Sequence, residues 1–201
     1  MYEIELKAHV KDHKTVSDIL MAKAKYIGKT EKHDTYWHFQ LPEHKANDTA
    51  GHISVRIRKE ITDSGTDFLL TYKHKERIFN DNGAAFEVND EKECTLSDTA
   101  PLESLLEDTG FFPAVRKDKT VYDWETDTPC GKALLELCTV PPLGDFLEIE
   151  ILSQKNDEKT VASVHAELKR LLEVCNIPLS EIEPRYYTDM LREAALEKKS
   201  R

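Results

Sequence analysis

The stretch Glu3-Ile4-Glu5-Leu6-Lys7 sets three charged side chains on alternate positions, the spacing of a β-strand. Successive strand side chains point to opposite faces, so Glu3, Glu5 and Lys7 share one face while Ile4, Leu6 and Ala8 share the other. Leu147-Glu148-Ile149-Glu150-Ile151 repeats the alternation near the far end of the chain. Two Glu-x-Glu pairs brought together would make an oxygen-rich site for a hard divalent cation, so the chemistry to look for is metal and phosphate.

The totals narrow the field. With 201 residues the chain can bury a substantial core as one domain or two small ones. Its 38 acidic residues against 28 basic give a net charge of -10, which argues against a broad nucleic-acid or anionic-membrane footprint. An anionic ligand must therefore meet a local basic cluster. No apolar run is long enough to cross a bilayer, and charge within the first three residues is unlike a secretory signal, so a cytoplasmic protein is expected. Cys94, Cys130, Cys138 and Cys175 form no CxxC pair or Cys/His module, which points to reduced thiols.

Outward from the first strand, Thr15-Val16-Ser17-Asp18 reads as a capping box, and Val16, Ile19, Leu20, Lys23 and Ile27 keep helical spacing up to Gly28. His33–Leu41 alternates as a strand, closed by Pro42 and a polar loop through Gly51. Ile53, Val55 and Ile57 interleave with Ser54, Arg56 and Arg58; past Asp63-Ser64-Gly65, Leu70 and Tyr72 interleave with Thr71, Lys73 and Lys75. The pair reads as a hairpin carrying basic residues, and Asn82-Gly83 signals a turn before a strand around Glu87 to Glu91. Pro101–Thr109 reads as a short helix. Val115–Trp124, Ala133–Cys138 and Leu147–Leu152 read as strands, Thr160–Asn176 as an amphipathic helix, and Tyr187–Arg201 as a short helix with a charged tail. Nothing divides the chain, so a single domain over 1–191 and a tail over 192–201 are expected.

A lone Glu-x-Glu strand is usually a solvated face. Here charged pairs recur two apart on most of the strands, and the apolar positions opposite them match at least three amphipathic helices. The expected fold is α+β: a closed eight-stranded antiparallel barrel with its charged face inside and helices packed outside. The inward set is Glu3, Glu5, Lys7, Arg56, Arg58, Lys73, Glu87, Lys117, Lys119, Glu136, Glu148 and Glu150. So many buried charges need partners, some from each other and some from a ligand rich in phosphate oxygens together with its cations.

In order and spacing these motifs resemble the CYTH, or triphosphate tunnel metalloenzyme, superfamily, and specifically its class IV adenylyl cyclase branch. Glu3, Glu5 and Lys7 match the ExExK motif, Arg56 and Arg58 the Arg-x-Arg strand, and Lys73 the downstream Lys strand. Lys117 and Lys119 match Lys-x-Arg, Glu136 the late acidic strand, and Gly144 to Glu150 the Gly-x-Phe-x-Glu-x-Glu segment. The resemblance implies a tunnel with Mg2+ or Mn2+, two ions in number, held by Glu3, Glu5, Glu136, Glu148 and Glu150. It implies triphosphate held by Lys7, Arg56, Arg58, Lys73, Lys117 and Lys119, with Lys7, Arg58 and Lys73 catalytic and Glu87, Arg185 and Tyr187 as further tunnel residues.

Glu183-Pro184-Arg185-Tyr186-Tyr187 is similar to the branch's Glu-Pro-Arg-Ser-Tyr element, with Tyr186 in place of serine. Lys119 stands where the family usually has Arg, losing a bidentate fork, and Glu136 where it more often has Asp. Leu6 occupies a position where the hydrolytic branch often carries a basic residue. The branch converts ATP to cyclic AMP and pyrophosphate; the alternatives are an inorganic, thiamine or nucleoside triphosphatase using the same tunnel, and a noncatalytic triphosphate sensor. The resemblance is compatible with a homodimer. The histidines form no HExxH, and there is no P-loop, Rossmann fingerprint or GxSxG, so side chains rather than a glycine cradle must bind phosphate. Trp37, Phe39 and Tyr72 could stack on a base but read first as packing aromatics.

Overall fold

The computed structural model describes residues 2–39, 52–79, 85–155 and 157–199, with side chains described except at 52–54, 73–79, 85–91 and 199. In chain order the elements are β1 (Tyr2–Val10), α1 (His13–Lys23), β2 (Lys25–Phe39), β3 (His52–Thr62), β4 (Gly65–Phe79), β5 (Ala85–Leu96) and α2 (Ala100–Asp108). They continue with β6 (Phe111–Thr128), β7 (Gly131–Val140), β8 (Gly144–Ser153), α3 (Glu158–Val174), a 3-10 turn at Leu179–Glu181, and α4 (Tyr187–Lys199). The strands hydrogen-bond as one eight-stranded sheet in the order β1-β8-β7-β6-β2-β3-β4-β5, and each pairing with a described register is antiparallel. This is the expected α+β class with the expected strand number; the order has β1 and β5 at its two ends.

The chain forms two compact units, one of residues 1–31 and 118–201 and the other of residues 32–117. In the first, the alternation read from the opening stretch holds: Ile4, Leu6 and Ala8 are buried while Glu3 and Glu5 are exposed. The apolar face joins Leu135 and Leu137 of β7 and Leu147, Ile149 and Ile151 of β8, and packs on Val164, Leu168 and Leu172 of α3 and Leu20 of α1. Burial of large side chains here, each stabilising by about 1.5–3 kcal/mol, fixes which face of β1, β7 and β8 turns to the helices and leaves the carboxylates on the other. In the second unit, Trp37 of β2 and Val55 and Ile57 of β3 pack on Leu102 and Leu106 of α2.

Local differences from the sequence reading have local causes. The cap of α1 is Asp12, whose carboxylate accepts from the Thr15 amide at 3.0 Å, one turn earlier than the predicted box. The helix stops at Lys23 because the next residues are claimed by β2: Tyr26 packs on Trp124 and Lys25 pairs with Glu125 at 3.0 Å. Helical spacing at Ile27 was therefore overridden by strand pairing. The predicted helix end at Asn176 is a left-handed residue (φ 58°), with the Ile177 amide donating back to the Leu172 carbonyl at 3.0 Å. The short helix expected from Tyr187 runs on as α4 to Lys199, through the stretch expected as a tail. The predicted loop from Pro42 and the Asn82-Gly83 turn lie outside the described residues. No helix among the described residues is long and apolar enough to cross a membrane.

Candidate metal and phosphate site

Cross-strand register assembles the acidic half of the site within the first unit. Lys7 lies opposite Glu148, Glu148 opposite Glu136, and Glu136 opposite Asp123, a row of charged residues across β1, β8, β7 and β6. One step along, Glu5 faces Glu150. The ligand oxygens of Glu3, Glu5 and Glu150 lie within 4.8 Å of one another. Burial, then the charge and hydrogen bond of Glu3 and the charges of Glu5 and Glu136, push the Glu150 carboxyl up to about 8. Three carboxylates gathered this closely form an all-oxygen donor set suited to a hard divalent cation, so the residues fit the group the resemblance implied.

Glu136 and Glu148 are arranged differently. The Lys119 ammonium, 5% exposed, bonds Glu136 and lies 2.9 Å from Glu148 Oε2. Burial works against its charge, but Glu148 and Glu136 outweigh that and raise its pKa well above the ordinary value. Cys138 shares this group of ligand atoms. Burial drives its thiol up to about 12, which keeps it protonated. The Tyr187 hydroxyl donates to Glu148 Oε1, and the Lys7 ammonium sits 4.0 Å from the Tyr187 ring centroid.

The second unit gathers cations around an acid absent from the expected set. Asp34 of β2, 2% exposed, accepts from Arg58 Nε at 2.6 Å and Nη2 at 3.0 Å, and Lys117 Nζ lies 3.0 Å away. Burial alone would raise this carboxyl; the Arg58 hydrogen bonds and the Lys117 charge override it and hold it far below the usual range. Arg56 donates to Thr71 Oγ1 at 2.9 Å, and Thr71 donates to Glu93 at 2.7 Å. An Asp in mid-strand was the available signal for Asp34, since aspartate is depleted in strands unless something holds it.

Of the expected residues, Glu3, Glu5 and Glu150 come together, as do Lys119, Glu136 and Glu148; Arg58 and Lys117 meet through Asp34. The side chains of Lys73 and Glu87 lie outside the described residues. Arg185 is half exposed and pairs with Glu183 and Glu193, so its side chain belongs to the C-terminal segment and not to the carboxylate cluster. Leu6 faces the helix-packed core, so its identity is set by packing there. Trp37 and Tyr72 are likewise in the core against α2, and the half-exposed Phe39 stacks on Phe111.

A hydrophobic face on helices and an opposite face of carboxylates and ammonium groups make an arrangement suited to a divalent cation and an anion that accompanies it. The CYTH domain family profile matches residues 1–187, and the chain belongs to that family. Members act on triphosphates and depend on divalent metal. No curated protein matches the chain. Among solved structures, it is similar to a Pyrococcus horikoshii OT3 protein at 22% identity and a TM-score of 0.73, covering 96% of this chain and 99% of that one. It is also similar to a candidate adenylate cyclase from Vibrio parahaemolyticus at 17% identity and a TM-score of 0.70, covering 96% and 98%. A third is a candidate adenylyl cyclase from Hippeastrum with a dominant triphosphatase activity, at 16% identity and a TM-score of 0.61, covering 96% and 95%. At these identities the likeness concerns the fold.

Proposed function

We propose that this protein is a class IV adenylyl cyclase, converting ATP to cyclic AMP and pyrophosphate in a single tunnel domain over 1–191 formed when the eight strands close. The observation that carries the reading is the convergence of Glu3, Glu5 and Glu150, an acid group that calls for a divalent cation, on the same sheet face as the row Lys7, Glu148, Glu136. When bound, Mg2+ or Mn2+ there supplies charge to phosphate oxygens and acidifies the attacking hydroxyl. Glu3, Glu5 and Glu150 would hold it, and Glu136 and Glu148, bonded to Lys119 here, would offer oxygens to a second ion.

In this reading the ribose 3'-hydroxyl attacks the α-phosphorus in line, forming the new P–O bond as the bond to pyrophosphate breaks and the hydroxyl proton passes to water. Lys7, Arg56, Arg58, Lys73, Lys117 and Lys119 bind the triphosphate and neutralise the charge growing on the leaving group. Asp34 keeps Arg58 and Lys117 side by side at the start, so less reorganisation is needed when phosphate arrives. The Glu183-Pro184-Arg185-Tyr186-Tyr187 element supports the cyclase over the hydrolase through its resemblance to the Glu-Pro-Arg-Ser-Tyr element of class IV cyclases. Triphosphate hydrolysis is the second reading, favoured by the dominant triphosphatase activity of the Hippeastrum protein of similar fold.

The test is product analysis by chromatography after incubation with ATP, or with tripolyphosphate, with and without Mg2+ and Mn2+. Cyclic AMP and pyrophosphate that vanish with chelator are expected. Orthophosphate from tripolyphosphate without cyclic AMP would replace the cyclase by the hydrolase, and tight binding without turnover would replace both by a sensor.

A further inference from the structure

Lys7 and Glu148 lie directly opposite each other on β1 and β8, with side chains on the same face. Opposite charges so placed ordinarily pair. Among the described residues they do not: Glu148 is held by Lys119 and Tyr187, while the Lys7 ammonium donates to the Arg185 carbonyl at 2.5 Å and rests on the Tyr187 ring. The Tyr187 side chain thus meets both partners, its ring at Lys7 and its hydroxyl at Glu148.

We infer that Tyr187 is a positioning residue, a spacer that keeps Lys7 from pairing with Glu148 and orients the Glu148 carboxylate for metal. This rests on the proposed function, in which Lys7 meets triphosphate and Glu148 metal. The spacer is locked to β1 by the segment before it. Ile182 bridges Ala8, the Glu183 amide donates to the Lys7 carbonyl at 2.8 Å, and the Glu183 carboxylate accepts from the Arg185 amide at 3.0 Å and Nε at 2.9 Å and meets His9 at 3.2 Å. Phe146 meets the Tyr187 ring edge-on at 5.1 Å between centroids. Because that segment tethers it to β1, Tyr187 keeps its hydroxyl on Glu148 Oε1 while Lys119 occupies Oε2.

The experiment compares the full chain with Tyr187→Phe and Tyr187→Leu by calorimetric titration with Mn2+, and separately with tripolyphosphate in chelator. Tyr187→Phe keeps the ring and loses the hydroxyl: Mn2+ affinity should fall about 10- to 100-fold while metal-free tripolyphosphate affinity and the melting temperature hold. Tyr187→Leu removes the spacer, lets Lys7 pair with Glu148, and should also weaken tripolyphosphate about tenfold. Unchanged Mn2+ affinity in Tyr187→Phe overturns the inference. So does a parallel loss of Mn2+ affinity, tripolyphosphate affinity and melting temperature in that variant, which would mark a merely structural residue. A wild-type protein that binds neither probe overturns the proposed function, and the inference with it, whereas binding unaltered by Tyr187→Phe removes the inference alone.

Discussion

Replacing Glu150 by Gln removes the carboxylate that Glu3 and Glu5 crowd, and its effect on stability should depend on pH in a direction fixed by the structure. In the folded protein burial and the neighbouring Glu3 and Glu5 push this carboxyl up to about 8, against an ordinary 4.5 in the unfolded chain. Between those values the folded state holds a proton that the unfolded state does not, so the contribution of Glu150 to stability is fully present below about 4.5 and is lost as pH rises through 8. At about 1.4 kcal/mol per pH unit, the interval caps the loss at about 5 kcal/mol. Glu3 and Glu5 are exposed, and solvent screening reduces this to about 2 kcal/mol. Glutamine cannot ionise and avoids the loss. Melting followed by circular dichroism in chelator should find Glu150→Gln close to wild type at pH 5 and about 4–8 °C more stable at pH 9, using about 2–4 °C per kcal/mol for a chain of this size. Added Mn2+ should raise the wild-type melting temperature at pH 9 and leave the variant nearly unmoved. An offset between the two proteins that is the same at pH 5 and pH 9 would refute the crowded-carboxylate reasoning.

Asp34→Ala strands Arg58 and Lys117 without their buried partner and should cost about 3–5 kcal/mol in urea denaturation; a loss below about 1 kcal/mol would mean that the triad is solvated. Lys119→Met leaves Glu136 facing Glu148 without the intervening ammonium, so it should melt lower than wild type in chelator and gain more from Mn2+, a comparison read in the same melting experiment. Arg58→Ala and Glu5→Ala should each lower turnover of the triphosphate substrate about a hundredfold or more; steady-state rates equal to wild type would remove that residue from the site.

Much of the fold was legible in the chain because the two faces of its strands differ so sharply. Ile4, Leu6 and Ala8 against Glu3, Glu5 and Lys7, and Ile149 and Ile151 against Glu148 and Glu150, announce both the period and the face that must be buried, and the buried face proved to be the apolar one. Family membership was equally legible, since spaced charges on successive strands survive as motifs. Element ends were less so: Ile27 kept helical spacing yet belongs to β2, because Tyr26 and Lys25 gain partners on Trp124 and Glu125 that no local pattern reveals.

Within the site, alternation alone determined which side chains share a face, but not what each one touches. That depends on register, which pairs residues more than a hundred positions apart. Only the tertiary structure put Lys119 between Glu136 and Glu148, drew Arg58 and Lys117 onto Asp34, and inserted Tyr187 between Lys7 and Glu148. The physical reason is that a charge is visible in a sequence while its partner is chosen by geometry: period two assigns a face, and register with side-chain reach decides which opposite charges meet.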